Sequence, residues 1–82
     1  PDIFVESELQ ERIKVAINKL PARCSEIFVL SRFKGLSNNE IATKLDISKR
    51  TVETQISNAL KFLRVELKDY VGMLVLLGII NF

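Results

Sequence analysis

Leu9, Ile13, Ala16, Ile17 and Leu20 recur at helical spacing, the stripe of a helix that buries one face. The pattern predicts a first helix near residues 6–19. Pro21 has no backbone N–H to donate and suits the first turn of a helix. It therefore closes the first helix and opens a second, which runs to about Lys34 and stops at Gly35. On that second helix Cys24, Ile27, Phe28 and Ser31 share one face, flanked by Leu20, Leu30 and Phe33.

Ser37-Asn38-Asn39-Glu40 has the form of a capping box, with hydroxyl and carboxylate each able to satisfy the other residue's backbone amide. It predicts a short third helix presenting Ile41, Ala42 and Leu45 inward and breaking at Asp46-Ile47. Ser48 then offers a second N-cap, and a long fourth helix follows over residues 49–64. Its apolar positions Val52, Ile56, Ala59, Leu60 and Leu63 fall on one side. Arg50, Glu53, Thr54, Ser57, Asn58 and Lys61 are left on the other. No repeat is visible, and the reading is all-α: a single four-helix domain over residues 1–82 with a helix-turn-helix at about 37–64 and no wing.

Ten of the thirteen residues from Tyr70 to Phe82 are apolar. A bilayer span needs roughly 20 residues, so no transmembrane helix is expected there. The preferred reading has this tail extend the fourth helix and fold back on the first, although Gly72 and Gly78 weaken a continuous helix. Pairing with a second copy or covering by another protein are the other two readings.

The chain has 82 residues, 48% apolar and 27% charged, with two Pro and three Gly, the composition of one small folded unit. With no His, one Cys and no glycine-rich phosphate loop, it lacks the usual parts for neutral-pH acid–base chemistry, thiol–imidazole catalysis or a zinc site. No catalytic residue, cofactor or metal is expected. Cys24, the lone cysteine, reads as a buried thiol in a reducing cytoplasm. The start at Pro1 reads as a piece of a longer protein. The formal net charge is only +2, but residues 20–64 carry eight bases against four acids, an excess that attracts phosphate as it would mark an ordinary solvated surface.

A short helix, a turn of about three residues and a second helix is the plan of a DNA-binding helix-turn-helix. Ala42 allows close approach of the two helices, Ile41 and Leu45 face the core, Ile47 plugs the turn and Val52 anchors the second helix. The same spacing occurs in plain helical hairpins.

The stretch LPARCSEIFVLSRFKGLSNNEIATKLDISKRTVETQISNALKFLR, Leu20 to Arg64, resembles region 4 of an extracytoplasmic-function sigma factor of bacterial RNA polymerase. Three parts carry the resemblance: Leu20, Pro21 and Arg23 at the opening, the segment from Gly35 to Ala42, and the run from Thr51 to Arg64. The wording, with its apolar tail, is most like sigma factors of Bacteroides-type bacteria that sit beside outer-membrane nutrient uptake systems. Asp46 departs from the glycine common at that turn, but Asp tolerates a left-handed conformation better than most residues. Nothing here corresponds to region 2, which in the family clamps polymerase and opens the −10 element.

The resemblance implies that the fourth helix enters the major groove of the −35 promoter element. Base-edge contacts would then fall to Glu53, Thr54, Ser57 and Asn58. Lys44, Lys49, Arg50, Thr51, Lys61 and Arg64 would hold phosphates, helped by the helix N-terminus after Ser48. It also implies a protein partner, the flap-tip helix of the polymerase β subunit, packing on apolar residues of the first two helices such as Val5, Leu9, Phe28 or Phe33. An anti-sigma factor is a second such partner, and self-association through the tail a third contact. The closest rival is the C-terminal DNA-binding domain of a response-regulator-type activator, which shares part of the wording. A structural helical module without DNA contact is the rival of a different class.

Overall fold

The computed structural model describes residues 2–80, and the side chains of residues 8–80. Five α-helices follow one another: α1 (Asp2–Asn18), α2 (Ala22–Arg32), α3 (Asn38–Leu45), α4 (Lys49–Glu66) and the short α5 (Val71–Leu76). A single 3₁₀ turn, Lys68–Tyr70, separates α4 from α5, and no strand occurs among the described residues.

Pro21 stands just outside α2, at φ −55° and ψ 149°, where its missing N–H costs nothing and its carbonyl accepts from Ser25 N–H at 2.8 Å. The far end of α2 comes at Arg32, two residues before the expected Lys34. The N–H groups of Phe33 and Lys34 both turn back to the Val29 carbonyl, Gly35 takes φ 75°, and Leu36 N–H closes on Leu30 O at 3.0 Å. Gly35 therefore stops the helix as a glycine in the left-handed region does.

Helix α2 packs chiefly against α4, and α3 lies across both. The core takes Leu9, Ile13, Ala16 and Ile17 from α1, Cys24, Ile27 and Phe28 from α2, and Ile41 from α3. Val52, Ile56, Ala59, Leu60 and Leu63 come from α4. Every apolar position that periodicity assigned to the inner faces of α1 and α4 is buried. Lys19 and Glu66 pair across the corner where α1 ends beside the end of α4. An exposed pair of this kind contributes under about 1 kcal/mol, so burial holds the bundle.

The tail does not extend α4. At Leu67 the backbone leaves the helical region, at φ −113° and ψ 35°, and the chain turns through Lys68–Tyr70 into α5. Gly78, at φ 77°, ends α5, with Gly78 N–H on Val75 O and Ile79 N–H on Leu74 O, both at 3.0 Å. The reason for the break is burial: Leu67, Leu74 and Ile80 all enter the common core, which a straight continuation of α4 would not allow. A side chain joins the returning segment of the tail to α2, where Arg32 Nε donates to the Ile79 carbonyl at 3.0 Å. The same guanidinium donates through Nη1 to Ser31 Oγ at 2.8 Å and lies 5.9 Å from the Phe28 ring centroid.

Candidate nucleic-acid interface

The helix-turn-helix is closed by its own side chains. Glu40 N–H donates to Ser37 Oγ at 3.1 Å and Ser37 N–H to Glu40 Oε1 at 2.8 Å, the reciprocal pair of a capping box. Asp46 sits in the left-handed region at φ 56° and ψ 50°, and Ile47 N–H returns to Ala42 O at 3.0 Å. Asp is among the few residues with a Cβ that visit this region readily. Ser48 then caps α4, its Oγ accepting from Thr51 N–H at 3.0 Å.

Ile41 and Val52 are fully buried, while Ala42, Leu45 and Ile47 are half-buried against the same core. Burial of Val52, Ile56, Ala59 and Leu63 fixes the rotation of α4 about its axis, so the residues between them must face outward. Glu53, Thr54, Ser57 and Asn58 are all exposed there. Lys44, Lys49, Arg50, Thr51 and Lys61 are exposed as well, and Arg64 is half-buried. Thr51 differs from the others in that its hydroxyl lies 2.8 Å from Ser48 Oγ, so it shares in the cap.

Glu53, Ser57, Lys61 and Arg64 line a shallow notch of about 380 Å³ floored by Ile56 and Leu60. Two residues outside the expected set, Arg32 and Asn38, line it too. Asn38 was open to detection from sequence, because it begins α3 directly after the Ser37 cap. Arg32 carried no signal, since it reaches the notch from α2 through packing on α4 that no local pattern records. Lys44 stands apart from this notch, on α3 beside Asn39, Glu40 and Thr43.

Behind the interface, the Cys24 thiol donates to the Gln55 carbonyl at 3.3 Å, tying α2 to α4. Burial pushes this thiol up from its ordinary value, because a thiolate there would lose its hydration. A protonated thiol of this kind is inert. Among the described residues, no group of His, Cys, Asp or Glu is arranged to hold a metal ion, and no helix is long and apolar enough to cross a membrane.

A second concavity, of about 710 Å³, lies between α1, α2 and the tail, with Leu9, Ile13, Ile17, Val29 and Phe33 on its walls. Of the apolar residues expected on a partner surface, Phe28 is fully buried and Leu9 nearly so, which makes both core residues. Phe33 is 47% exposed, its ring set edge-on to Phe28 at 6.3 Å. The side chain of Val5 lies outside the described residues.

The sequence-family model described as sigma-70, region 4 matches residues 10–63, from the middle of α1 almost to the end of α4. The chain belongs to the sigma-70 region 4 family. No curated protein and no solved structure matches it. Membership makes the chain a DNA-binding regulatory domain, of a class that serves sigma factors at the −35 element and works with RNA polymerase, and not a member of an enzyme family. It favours the sigma reading over the activator reading. The match ends before Leu67, so the whole tail lies beyond the region 4 pattern.

Proposed function

We propose that this region 4 domain reads the −35 element for an extracytoplasmic-function sigma factor of the Bacteroides type, acting in the cytoplasm beside RNA polymerase. The observation that carries the reading is the outward face of α4. The matched stretch covers this helix as far as Leu63, its inner face is locked in the core, and Glu53, Thr54, Ser57 and Asn58 are exposed on the other side. A major groove admits one helix and presents a distinct donor and acceptor pattern for each base pair. Asn58 suits adenine, Glu53 accepts from a cytosine amino group, and the hydroxyls of Thr54 and Ser57 serve several bases. Lys44, Lys49, Arg50, Lys61 and Arg64 would hold phosphates and set register, with Thr51 contributing from the capped first turn. Arg32 and Asn38, at the edge of the notch, extend that set.

The polymerase contact falls on the apolar groove between α1 and α2, where Phe33 offers an exposed ring, and the occupant is the flap segment of the β subunit. An anti-sigma factor covering the same groove would compete with it.

The test is transcription by polymerase reconstituted with the sigma factor. Asn58→Ala should lower promoter use about tenfold or more and relax preference at one −35 position, since a good base contact is worth about 1–3 kcal/mol. Lys61→Ala should weaken binding to all sequences alike and lower the salt slope by about one. Unchanged preference in the Asn58 variant, with DNA binding retained, would remove the helix-face assignment.

A further inference from the structure

Leu77 and Ile79, beyond the end of the region 4 match, complete the apolar groove that α1 and α2 leave open. Their place on that wall is held from both sides. Leu74 and Ile80, which bracket them, are buried in the core, and the carbonyl of Ile79 is clasped by Arg32. Leu77 itself is 60% exposed, an apolar side chain spent on a surface although three of its neighbours in the tail reach the core. The groove carries Lys14 and Arg32 among its lining residues and no carboxylate. Its apolar floor and cationic rim match one kind of occupant, a helix with an apolar face flanked by acidic residues.

We infer that the C-terminal tail is a built wall of the polymerase-docking groove, with Leu77 as its contact residue, so that the tail selects which acidic amphipathic helix the domain accepts. This rests on the assignment of the groove to the β-subunit flap. Arg32 has a double place in it: it borders the groove on one side and the α4 notch on the other, and it fastens the tail to α2. Arg32 is therefore a positioning residue for the wall as well as a charge on its rim. Leu77 and Ile79 both lie beyond residues 10–63, the stretch that the family model matches.

The experiment compares two neighbouring exposed leucines. Leu76 is 87% exposed and does not line the groove, whereas Leu77 does. Binding of the wild-type chain, Leu77→Asp and Leu76→Asp to the cognate core RNA polymerase is measured by titration, with core polymerase lacking the flap tip as reference. Sedimentation and a thermal melt accompany each protein. The expected result is flap-dependent binding that falls about tenfold in Leu77→Asp, as for loss of one half-buried leucine contact, and holds in Leu76→Asp with melts alike. Lys14→Glu should weaken the same binding and reduce its salt dependence.

Wild-type binding that ignores deletion of the flap overturns the groove assignment and this inference together. Flap-dependent binding that Leu77→Asp leaves intact, or that both aspartates weaken equally, overturns the tail wall alone. A wild-type dimer that Leu77→Asp dissociates would make a second copy the occupant and overturn it as well.

Discussion

Ser37 and Glu40 cap α3, Ser48 caps α4 and Asp46 sets the turn between them, whereas the tail has a left-handed glycine, Gly78, at its far end and no side-chain cap. The 3₁₀ turn at Lys68–Tyr70 and helix α5 both begin without a side-chain cap. What holds the tail is distant: Leu67, Leu74 and Ile80 in the core and one hydrogen bond from Arg32. One region takes its shape from neighbours in sequence and the other from neighbours in space. An isolated six-residue helix is not stable in water, so α5 exists only because the rest of the domain receives it.

The largest test of that difference is Leu74→Ala. Leu74 is fully buried, and loss of such a leucine costs about 3 kcal/mol when the surroundings do not collapse. Urea unfolding should show this loss in one transition with an unchanged slope, because the tail shares its core with α2 and α4. A tail that frays by itself would instead lose protection at the Ile79 amide, which is bonded to Leu74 O, and leave the main transition where it was.

Ser37→Ala addresses the other half of the comparison. It removes a local lock while touching no buried residue, and should cost about 1 kcal/mol, with amide exchange rising first at Glu40. Glu40→Ala should cost less, since the Ser37 hydroxyl still caps the helix. Equal effects from Leu74→Ala and Ser37→Ala would erase the distinction between distant and local support.

This distinction also explains what could be read from the chain. The first four helices, the Ser37–Glu40 box and the Ser48 cap each show in residues close in sequence, the left-handed Asp46 is expected from the resemblance, and the core stripes of α1 and α4 repeat often enough to be unambiguous. The tail offered no period, since ten apolar residues in thirteen do not say which side faces inward. Its break at Leu67 follows from where the core has room, which no local pattern records. The site divides in the same way. The outward face of α4 follows from its inner stripe, but Arg32 reaches the notch through the packing of α2 on α4, and the groove beside the returning Ile79. Phe28 and Phe33 separate into a core ring and an exposed one because five residues carry the chain about 140° around the helix axis, onto a different face.

Asp46→Gly sharpens the local half in the opposite direction. Asp46 is the one residue other than glycine with positive φ among the described residues, and its side chain is exposed. Left-handed backbone costs a residue with a Cβ about 1–2 kcal/mol, and Gly avoids this while adding entropy to the unfolded chain. A net gain of about 0.5–1 kcal/mol in thermal or urea unfolding is expected, with DNA binding unchanged. A loss would mean that the Asp46 carboxylate supports the turn through its charge.

The smallest effect concerns the bond that joins the two kinds of support. Cys24 lies on α2, yet its thiol meets the Gln55 carbonyl on α4, so the helix-turn-helix also draws on a distant contact. Burial raises the thiol above its ordinary value, so the native state keeps this proton at a pH where the unfolded chain has released it. Above about pH 8.5 the unfolded chain therefore binds fewer protons than the folded one. The sign of the linkage makes stability fall as pH rises through that range, and the contribution is fully present below it. Cys24→Ala removes the group, and the drop in urea midpoint between pH 7 and pH 10 should be smaller in that variant than in the wild type. Parallel drops in the two proteins would place the alkaline loss elsewhere. They would leave the Cys24 contact as packing alone.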